Sequence, residues 1–302
     1  MIAEERSRGL RTVSKVGYLG PEGTFSEEAL LSGAAPDSVE PVPCATIYDT
    51  VMALHRGEVE WAIVPIENSL DGSISVTLDL LAEEAAAVQI VGETLLTVRH
   101  SLIAAQLVEL KEIDTVLSHP QVPGQCARFL RGELPHARVL PASSTAEAVR
   151  EVVEDAKHGW AALGTRLAAD IYGGTVVRDG VQDRDDNETR FVWLAQAQSA
   201  AAATAPPLRI VGEQGSWKTS LVFWGAGADS PGWLVRCLNE FARREINLTK
   251  IESRPRRERL GHYMFFVDLQ GSPPAEQTVS DAVAQLREIC EEVRVLGSYP
   301  AA

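Results

Sequence analysis

Cysteine is scarce in this chain of 302 residues: there are four, Cys44, Cys126, Cys237 and Cys290, far apart and with no CxxC pair. That spacing speaks against a disulfide framework or a zinc site, and the thiols are expected to be reduced and mostly buried, as in a cytoplasmic protein. Positive charge is also short. Lysine and arginine number 28 against 42 acidic residues, for a net charge of −14 and a pI near 4.9. Such a surface repels a phosphate backbone, so no nucleic-acid partner is expected. No apolar run approaches the roughly 18 residues of a membrane span, so no membrane partner is expected either. Residues 1–14 mix charges of both signs and lack an apolar stretch, so they read as a frayed polar lead rather than a signal peptide. Internal repeats are absent as well.

What is present is a soluble globular composition, 45% apolar and 23% charged, long enough for about two domains. Up to about Ala195, short apolar runs read as strands at 16–19, 61–64, 90–98, 115–118, 161–164 and 191–194. Amphipathic stretches at 26–31, 47–56, 125–131, 144–154 and 166–171 read as helices. Strands alternating with helices predict a mainly parallel sheet with covered faces. The long run over 90–103 suits a strand that crosses between two lobes. An Ala-rich stretch from Gln196 that ends in Pro206-Pro207 reads as a linker. From Ser216 the pattern becomes βαββαβ, with strands at 219–224, 248–252, 263–269 and 293–297 and helices at 232–245 and 279–292.

Five stretches could carry chemistry. In Gly17 to Glu27 a strand ends in a Gly/Pro turn, and Thr24 and Glu27 have capping-box spacing, which places a helix N-terminus at the strand's carboxyl end. Ser144 and Glu147 repeat that register. Each is by itself an ordinary cap, but two helix N-termini facing one cleft would suit a substrate with two carboxylates. Val64 to Gly72 and Leu117 to Cys126 are strands running into polar loops, with Asn68, Ser69, Ser118 and Gln121 as neutral donors. His119 has no visible pairing with Cys126, and that cysteine reads as core. In Asp183 to Leu194 a polar turn feeds an apolar strand, with Thr189 and Arg190 at the boundary. Arg190 is a natural counter-charge for a carboxylate. The acidic residues Asp183, Asp185 and Asp186 lack calcium-loop spacing and read as a solvated turn. Beyond these, the glycines at 225–232 do not complete a dinucleotide loop, because Ser230 and Pro231 stand where it should close. Arg243, Arg244, Arg254, Arg256, Arg257 and Arg259 form a basic patch, either a solvated face or a partner for the acidic remainder.

Together these stretches resemble the prephenate dehydratase family. GYLGPEGTFS, VPIENSLDGSI, SHPQVPGQC, SSTAEAV and NETRF occur in the family's order, and the likeness extends from about Val16 to Ser298. The final segment is similar to an ACT regulatory domain, through NLTKIESRP and through SPGWLV at the ligand-loop position. The resemblance implies an α/β fold: a catalytic domain at 15–197 with two lobes arranged like a periplasmic binding protein, a linker at 198–215, and an α+β, ferredoxin-like ACT domain at 216–300. It implies decarboxylating dehydration of prephenate to phenylpyruvate, water and CO2 in phenylalanine biosynthesis. No cofactor and no metal are expected, because the aromatic product supplies the driving force. L-phenylalanine is the implied effector, and a homodimer or homotetramer the implied assembly.

The resemblance puts Thr189 and Arg190 in catalytic roles and surrounds the substrate with Thr24, Asn68, Ser69, Ser118, Gln121, Ser144, Thr145 and Asn187. It gives the effector to Ser230, Pro231, Gly232, Trp233, Leu234, Val235, Asn247, Leu248, Glu252, Ser253, Arg254 and Pro255. Against a charge of −14, Arg190 and the two helix starts are expected to make the cleft locally positive. Two departures stand out. Asp71 replaces the family's usual Glu, and Trp233 replaces the Ala of its Gly-Ala-Leu motif, where an indole would narrow or reshape the effector pocket. The competing readings are an arogenate dehydratase and a non-catalytic amino-acid sensor. The NETRF stretch argues against the sensor.

Overall fold

Three sheets organise the chain, and the direction in which the chain enters each one decides where its strand ends point. The computed structural model describes residues 13–35, 37–197, 216–225, 230–271 and 277–302. The expected linker at 198–215 lies outside the described residues. The first sheet holds β1 (Ser14–Leu19), β2 (Val39–Cys44), β3 (Trp61–Asn68), β5 (Val88–Thr97) and β11 (Glu188–Gln196) in the order β2-β1-β3-β11-β5. The short β4 (Gly72–Ser73) folds back on β3. The second holds β6 (Ser101–Ala104), β7 (Thr115–Ser118), β8 (Arg138–Pro141), β9 (Trp160–Gly164) and β10 (Thr175–Arg178) in the order β10-β6-β9-β7-β8. Helices α1 (Phe25–Gly33), α2 (Ile47–His55) and α3 (Ser75–Ala82) belong to the first lobe. The second lobe has α4 (Val122–Gln125), α5 (Ala127–Glu133), α6 (Thr145–Asp155) and α7 (Arg166–Tyr172).

The chain crosses between lobes twice, at 98–100 and at 179–187, and this overturns the expectation of a mainly parallel sheet. β1 runs parallel to β2 and β3, but β11 lies antiparallel between β3 and β5. Likewise β7 is parallel to β8 and β9, while β6 is antiparallel to β9 and β10. A strand that enters a lobe from a crossing starts at the cleft and runs away from it; the others end there. The carboxyl ends of β1, β3 and β5 thus face those of β7, β8, β9 and β10, the place where α/β sheets bind ligands. The sequence reading misses β2 because Pro41 and Pro43 interrupt it, which only an edge strand tolerates. The helix expected over 125–131 breaks at Cys126, a fully buried core residue whose thiol burial pushes up to about 12.

The C-terminal βαββαβ unit comprises β12 (Trp217–Trp224), α8 (Trp233–Ala242), β13 (Leu248–Pro255), β14 (Tyr263–Gln270), α9 (Gln277–Ile289) and β15 (Glu292–Pro300), with sheet order β13-β14-β12-β15. Strand alternation gives its sheet two apolar faces. Leu221 and Phe223 pack with Trp233, Phe241 and Leu286 on its own helices. Val222, Met264, Phe266, Leu296 and Tyr299 share one buried cluster with Val51, Leu78, Ile90 and Val192 of the first lobe. The basic patch is partly absorbed here. Arg254 clamps Asp79 of α3 with two bonds of 2.8 Å, and Arg257 reaches the same carboxylate. Among the described residues no helix is long and apolar enough to cross a membrane.

The contact between the units is close at Gly297, where a Cβ would lie 2.1 Å from the Ile90 carbonyl oxygen and 2.8 Å from its carbon. Both are backbone atoms that cannot swing aside. Gly297→Ala is expected to cost about 3 kcal/mol or more and to lower Tm by several degrees in a thermal melt. An unchanged Tm would show that the two units are not packed this closely.

Candidate active site

A cavity of about 440 Å³ lies between the lobes, at the strand ends just described. Thr24, Asn68, Gln121, Ser144, Thr145, Asn187 and Thr189 all line it. Both helix starts picked out in the sequence therefore face one space; the second is capped by Ser144 as expected, and the first is not capped by Thr24. Ser144 Oγ accepts from Glu147 N at 3.0 Å. Thr24 does not cap α1; its hydroxyl donates to Leu19 O at 2.9 Å. The carboxylate of Glu27 instead accepts from Gly23 N at 2.5 Å. The first-turn N–H groups of a helix have no partner within it, so they can serve an anion.

Asn68 and Thr189 are register partners at the ends of β3 and β11. Asn68 Oδ1 accepts two backbone N–H groups, from Leu70 and Asp71, each at 2.9 Å. That fixes the orientation of the amide. Its Nδ2 must then donate, to Asn187 Oδ1 at 2.8 Å and to Thr189 Oγ1 at 2.9 Å. Thr189 thus receives a hydrogen bond on its oxygen, and its own O–H remains to donate into the cavity.

The network continues across the lobes. Asn187 Nδ2 donates to Gln125 Oε1 at 3.3 Å, and His100 Nε2 approaches the same oxygen at 3.1 Å. An oxygen can only accept, so His100 carries its proton on Nε2. His100 is 1% exposed, and burial lowers its pKa below the usual histidine value. Its Nδ1 has no hydrogen-bond partner among the described residues. His100 lies on one interlobe crossing and Asn187 on the other, joined by a bond from Val98 N to Asn187 O at 2.8 Å. The sequence reading missed His100 and Gln125 as site residues. A lone histidine between strands carries no motif, and Gln125 becomes meaningful only when the lobes close on it.

Three sequence-predicted residues stand elsewhere. Ser118 is fully buried, its hydroxyl has no hydrogen-bond partner among the described residues, and it does not line the cavity. Ser69 is exposed and does not line the cavity; its Oγ accepts from Glu188 N at 3.0 Å. Arg190 points to the opposite face of β11. Its guanidinium meets Glu93 at 2.7 Å, Asp268 at 2.5 Å and the Tyr299 hydroxyl at 2.7 Å, with Glu67 at 3.5 Å. Successive side chains of a strand alternate, so Thr189 and Arg190 cannot both face the cleft. The expectation that Arg190 counters substrate charge is therefore corrected. The lining holds no Lys or Arg among the described residues, and attraction for an anion falls to the helix starts and neutral donors.

The lobes also touch directly. Thr165 Oγ1 donates to Gly23 O at 2.6 Å, and Tyr172 OH to Glu22 O at 2.9 Å. Glu28 is held in this seam, where burial pushes its carboxyl up to about 7 despite a backbone bond from Leu167. An unfolded Glu titrates near 4.3. The folded chain therefore binds the extra proton between these values, and stability falls as pH rises through about 7. Glu28→Gln is expected to raise Tm by about 2–4 °C at pH 8 and by much less at pH 5. Equal shifts at both pH values would contradict the assignment.

A second cavity, of about 460 Å³, lies in the C-terminal unit. Ser230, Pro231, Gly232, Trp233, Leu234 and Val235 line it, with Arg256, Tyr263 and Phe265 among the other walls. Trp233 packs with Phe223 and Phe265, centroids 6.0 Å apart, and its Nε1 donates to Ile289 O at 3.2 Å. The indole is thus anchored in the domain's own core while forming one wall. Asn247, Leu248, Glu252, Ser253, Arg254 and Pro255 do not line this cavity. Glu252 instead accepts from Ser73 at 3.1 Å, and Arg254 holds Asp79 and Ser75 of the first lobe.

Residues 16–199 match the profile of the family described as prephenate dehydratase. A curated prephenate dehydratase from Mycobacterium marinum is 38% identical over 296 residues, covering 95% of this chain and 89% of that one. The solved prephenate dehydratase of Arthrobacter aurescens in complex with L-Phe is 34% identical, with a TM-score of 0.79 over 94% of this chain and 89% of that one. A solved structure described as a novel type of quorum-quenching acylase is 27% identical, with a TM-score of 0.81 over 95% and 98% of the two chains.

Proposed function

The chain belongs to the prephenate dehydratase family, and we propose that Thr189 is its catalytic hydroxyl, working in the interlobe cleft. The reaction is decarboxylating dehydration, a lyase step. Prephenate has a ring carboxylate, a hydroxyl across the ring from it, and a pyruvyl carboxylate. The bond to the ring carboxylate breaks, its electron pair enters the ring, and the ring C–O bond breaks on the other side. The dianion takes up one proton and gives phenylpyruvate, CO2 and water.

The observation that carries the proposal is the bond from Asn68 Nδ2 to Thr189 Oγ1. It turns the threonine O–H outward and polarises it toward the departing oxygen. A threonine is too weak an acid to give up its proton outright. It stabilises the developing hydroxide by hydrogen bonding, in the manner of a preorganised oxyanion donor. A lining without Lys or Arg among the described residues fits this chemistry. A guanidinium on the ring carboxylate would stabilise the ground state more than a transition state that is becoming neutral CO2, and so would slow the reaction. Helix N-termini and amides bind the charges less tightly, and Phe25, Pro65, Ile74 and Phe191 supply apolar wall.

The second cavity is the site we assign to phenylalanine. Its walls pair aromatic and aliphatic side chains with the start of α8, where Gly232 has φ +78° and lets backbone approach a ligand carboxylate. On this reading the C-terminal unit is an ACT domain, and the end product of the pathway acts on the cleft. Phenylpyruvate formation from prephenate, followed by its enolate absorbance with and without phenylalanine, tests both parts. Turnover of arogenate in preference to prephenate would replace the substrate, and no phenylalanine binding by calorimetry would remove the effector.

A further inference from the structure

We propose that Arg190 is a positioning residue: it ties the segment of β11 that bears Thr189 to the sheet of the C-terminal unit, so that this unit sets where the catalytic hydroxyl sits. Four observations converge on it. The first is parity. Thr189 and Phe191 line the cleft, and Arg190 between them faces the other way. The second is a break in register. Arg190 pairs with Glu67 but Phe191 pairs with Pro65, so the ladder slips by one residue beside Thr189. Pro65 has no N–H to give to β11, and an irregularity of this kind re-aims neighbouring side chains.

The third is the anchoring of the guanidinium. Its partners Asp268 and Tyr299 belong to the C-terminal sheet, and both bind Ser220 Oγ, at 2.5 and 2.6 Å. Its partner Glu93 on β5 is in turn held by Lys218 of β12 at 2.7 and 2.9 Å. Side-chain exposure is 9% for Arg190, 7% for Asp268 and 1% for Glu93. Buried ions are poor glue for surfaces that already share an apolar core, because desolvation offsets most of the attraction. What the directed bonds supply is a fixed geometry. The fourth is continuity. β14 carries Phe265 in the wall of the second cavity and Asp268 against Arg190. A shift of that one strand would be felt at both places.

The decisive measurement is a double-mutant cycle in the full chain with prephenate as substrate. Arg190→Lys keeps the charge but cannot span Glu93, Asp268 and Tyr299 together. It is expected to lower kcat about tenfold with KM within about twofold of the parent. In a Thr189→Val background the same change is expected to lower kcat by less than about twofold, because its effect passes through the threonine hydroxyl. Tyr299→Phe, an isosteric change outside the cleft, keeps the test alive if Arg190→Lys fails to fold; its expected kcat loss is about threefold and likewise vanishes without Thr189. Losses that multiply in the double variants, or unchanged kcat in the single ones, would overturn the proposal.

A last arm rests on the phenylalanine reading. Tyr299→Phe is expected to bind phenylalanine as the parent does but to show a response of kcat at least about fivefold smaller. A full response in this variant would show that the effector acts by another route. If the parent binds no phenylalanine, the effector reading fails, while the cycle still decides the role of Arg190.

Discussion

Replacing Thr189 by valine lowers kcat by about 10²–10⁴-fold while KM changes by less than about threefold. Valine matches threonine in shape, so β11 and its pairing with Asn68 and Leu96 stay in place. Only the hydroxyl goes, and with it the one donor that Asn68 directs outward. The interaction it makes with the departing oxygen strengthens as charge develops there, so its loss falls on kcat rather than on substrate binding. Thr189→Ser, which keeps the hydroxyl but frees its rotation, is expected to retain most of that activity. Steady-state kinetics on the three proteins settle the point. An unchanged kcat in the valine variant would remove the hydroxyl from the mechanism.

Asn68→Asp is expected to be at least as damaging, and in a different way. The change is isosteric, but a carboxylate has no N–H to donate. Thr189 would then give its own proton to the new carboxylate and turn away from the substrate. Asn187 Oδ1, which accepts from Asn68 at 2.8 Å, would face another acceptor. A charge would also be added to a cleft whose lining has no Lys or Arg among the described residues and whose substrate is a dianion. Both kcat and kcat/KM are expected to fall by about 10³-fold or more at pH 8. Protonating the introduced carboxyl removes its charge, so the deficit is expected to narrow below about pH 5. A deficit that is flat with pH would show that the side-chain amide does not orient Thr189 in this way.

The parts of this site that were legible in the sequence are those written locally. A capping residue after a Gly/Pro turn, or a polar loop at the end of an apolar run, marks a strand's carboxyl end whatever the rest of the chain does. Thr24, Asn68, Gln121, Ser144, Thr145, Asn187 and Thr189 were found that way and through the family likeness, and they line one cavity. What depended on register or on distant partners was not legible. Arg190 looked like a substrate clamp because arginine suits carboxylates. The alternation of the strand already placed it opposite Thr189, and its real partners, Glu93 and Asp268, lie about 100 and 80 residues away in sequence, too far for local pattern to reveal. The family likeness assigns Arg254 and Glu252 to the effector, yet they grip α3 and β4 of the first lobe, partners that likewise lie far away in sequence. The antiparallel β6 and β11 follow from the two crossings, which a helix-strand alternation alone does not show.

A crystal structure with an unreactive prephenate analogue that keeps the ring hydroxyl is the most direct test of the hydroxyl's role. The account predicts the hydroxyl oxygen about 2.5–3.0 Å from Thr189 Oγ1, with the carboxylates at the starts of α1 and α6. An analogue bound with that oxygen beyond about 4 Å from Thr189, or donated to by another group, would contradict it.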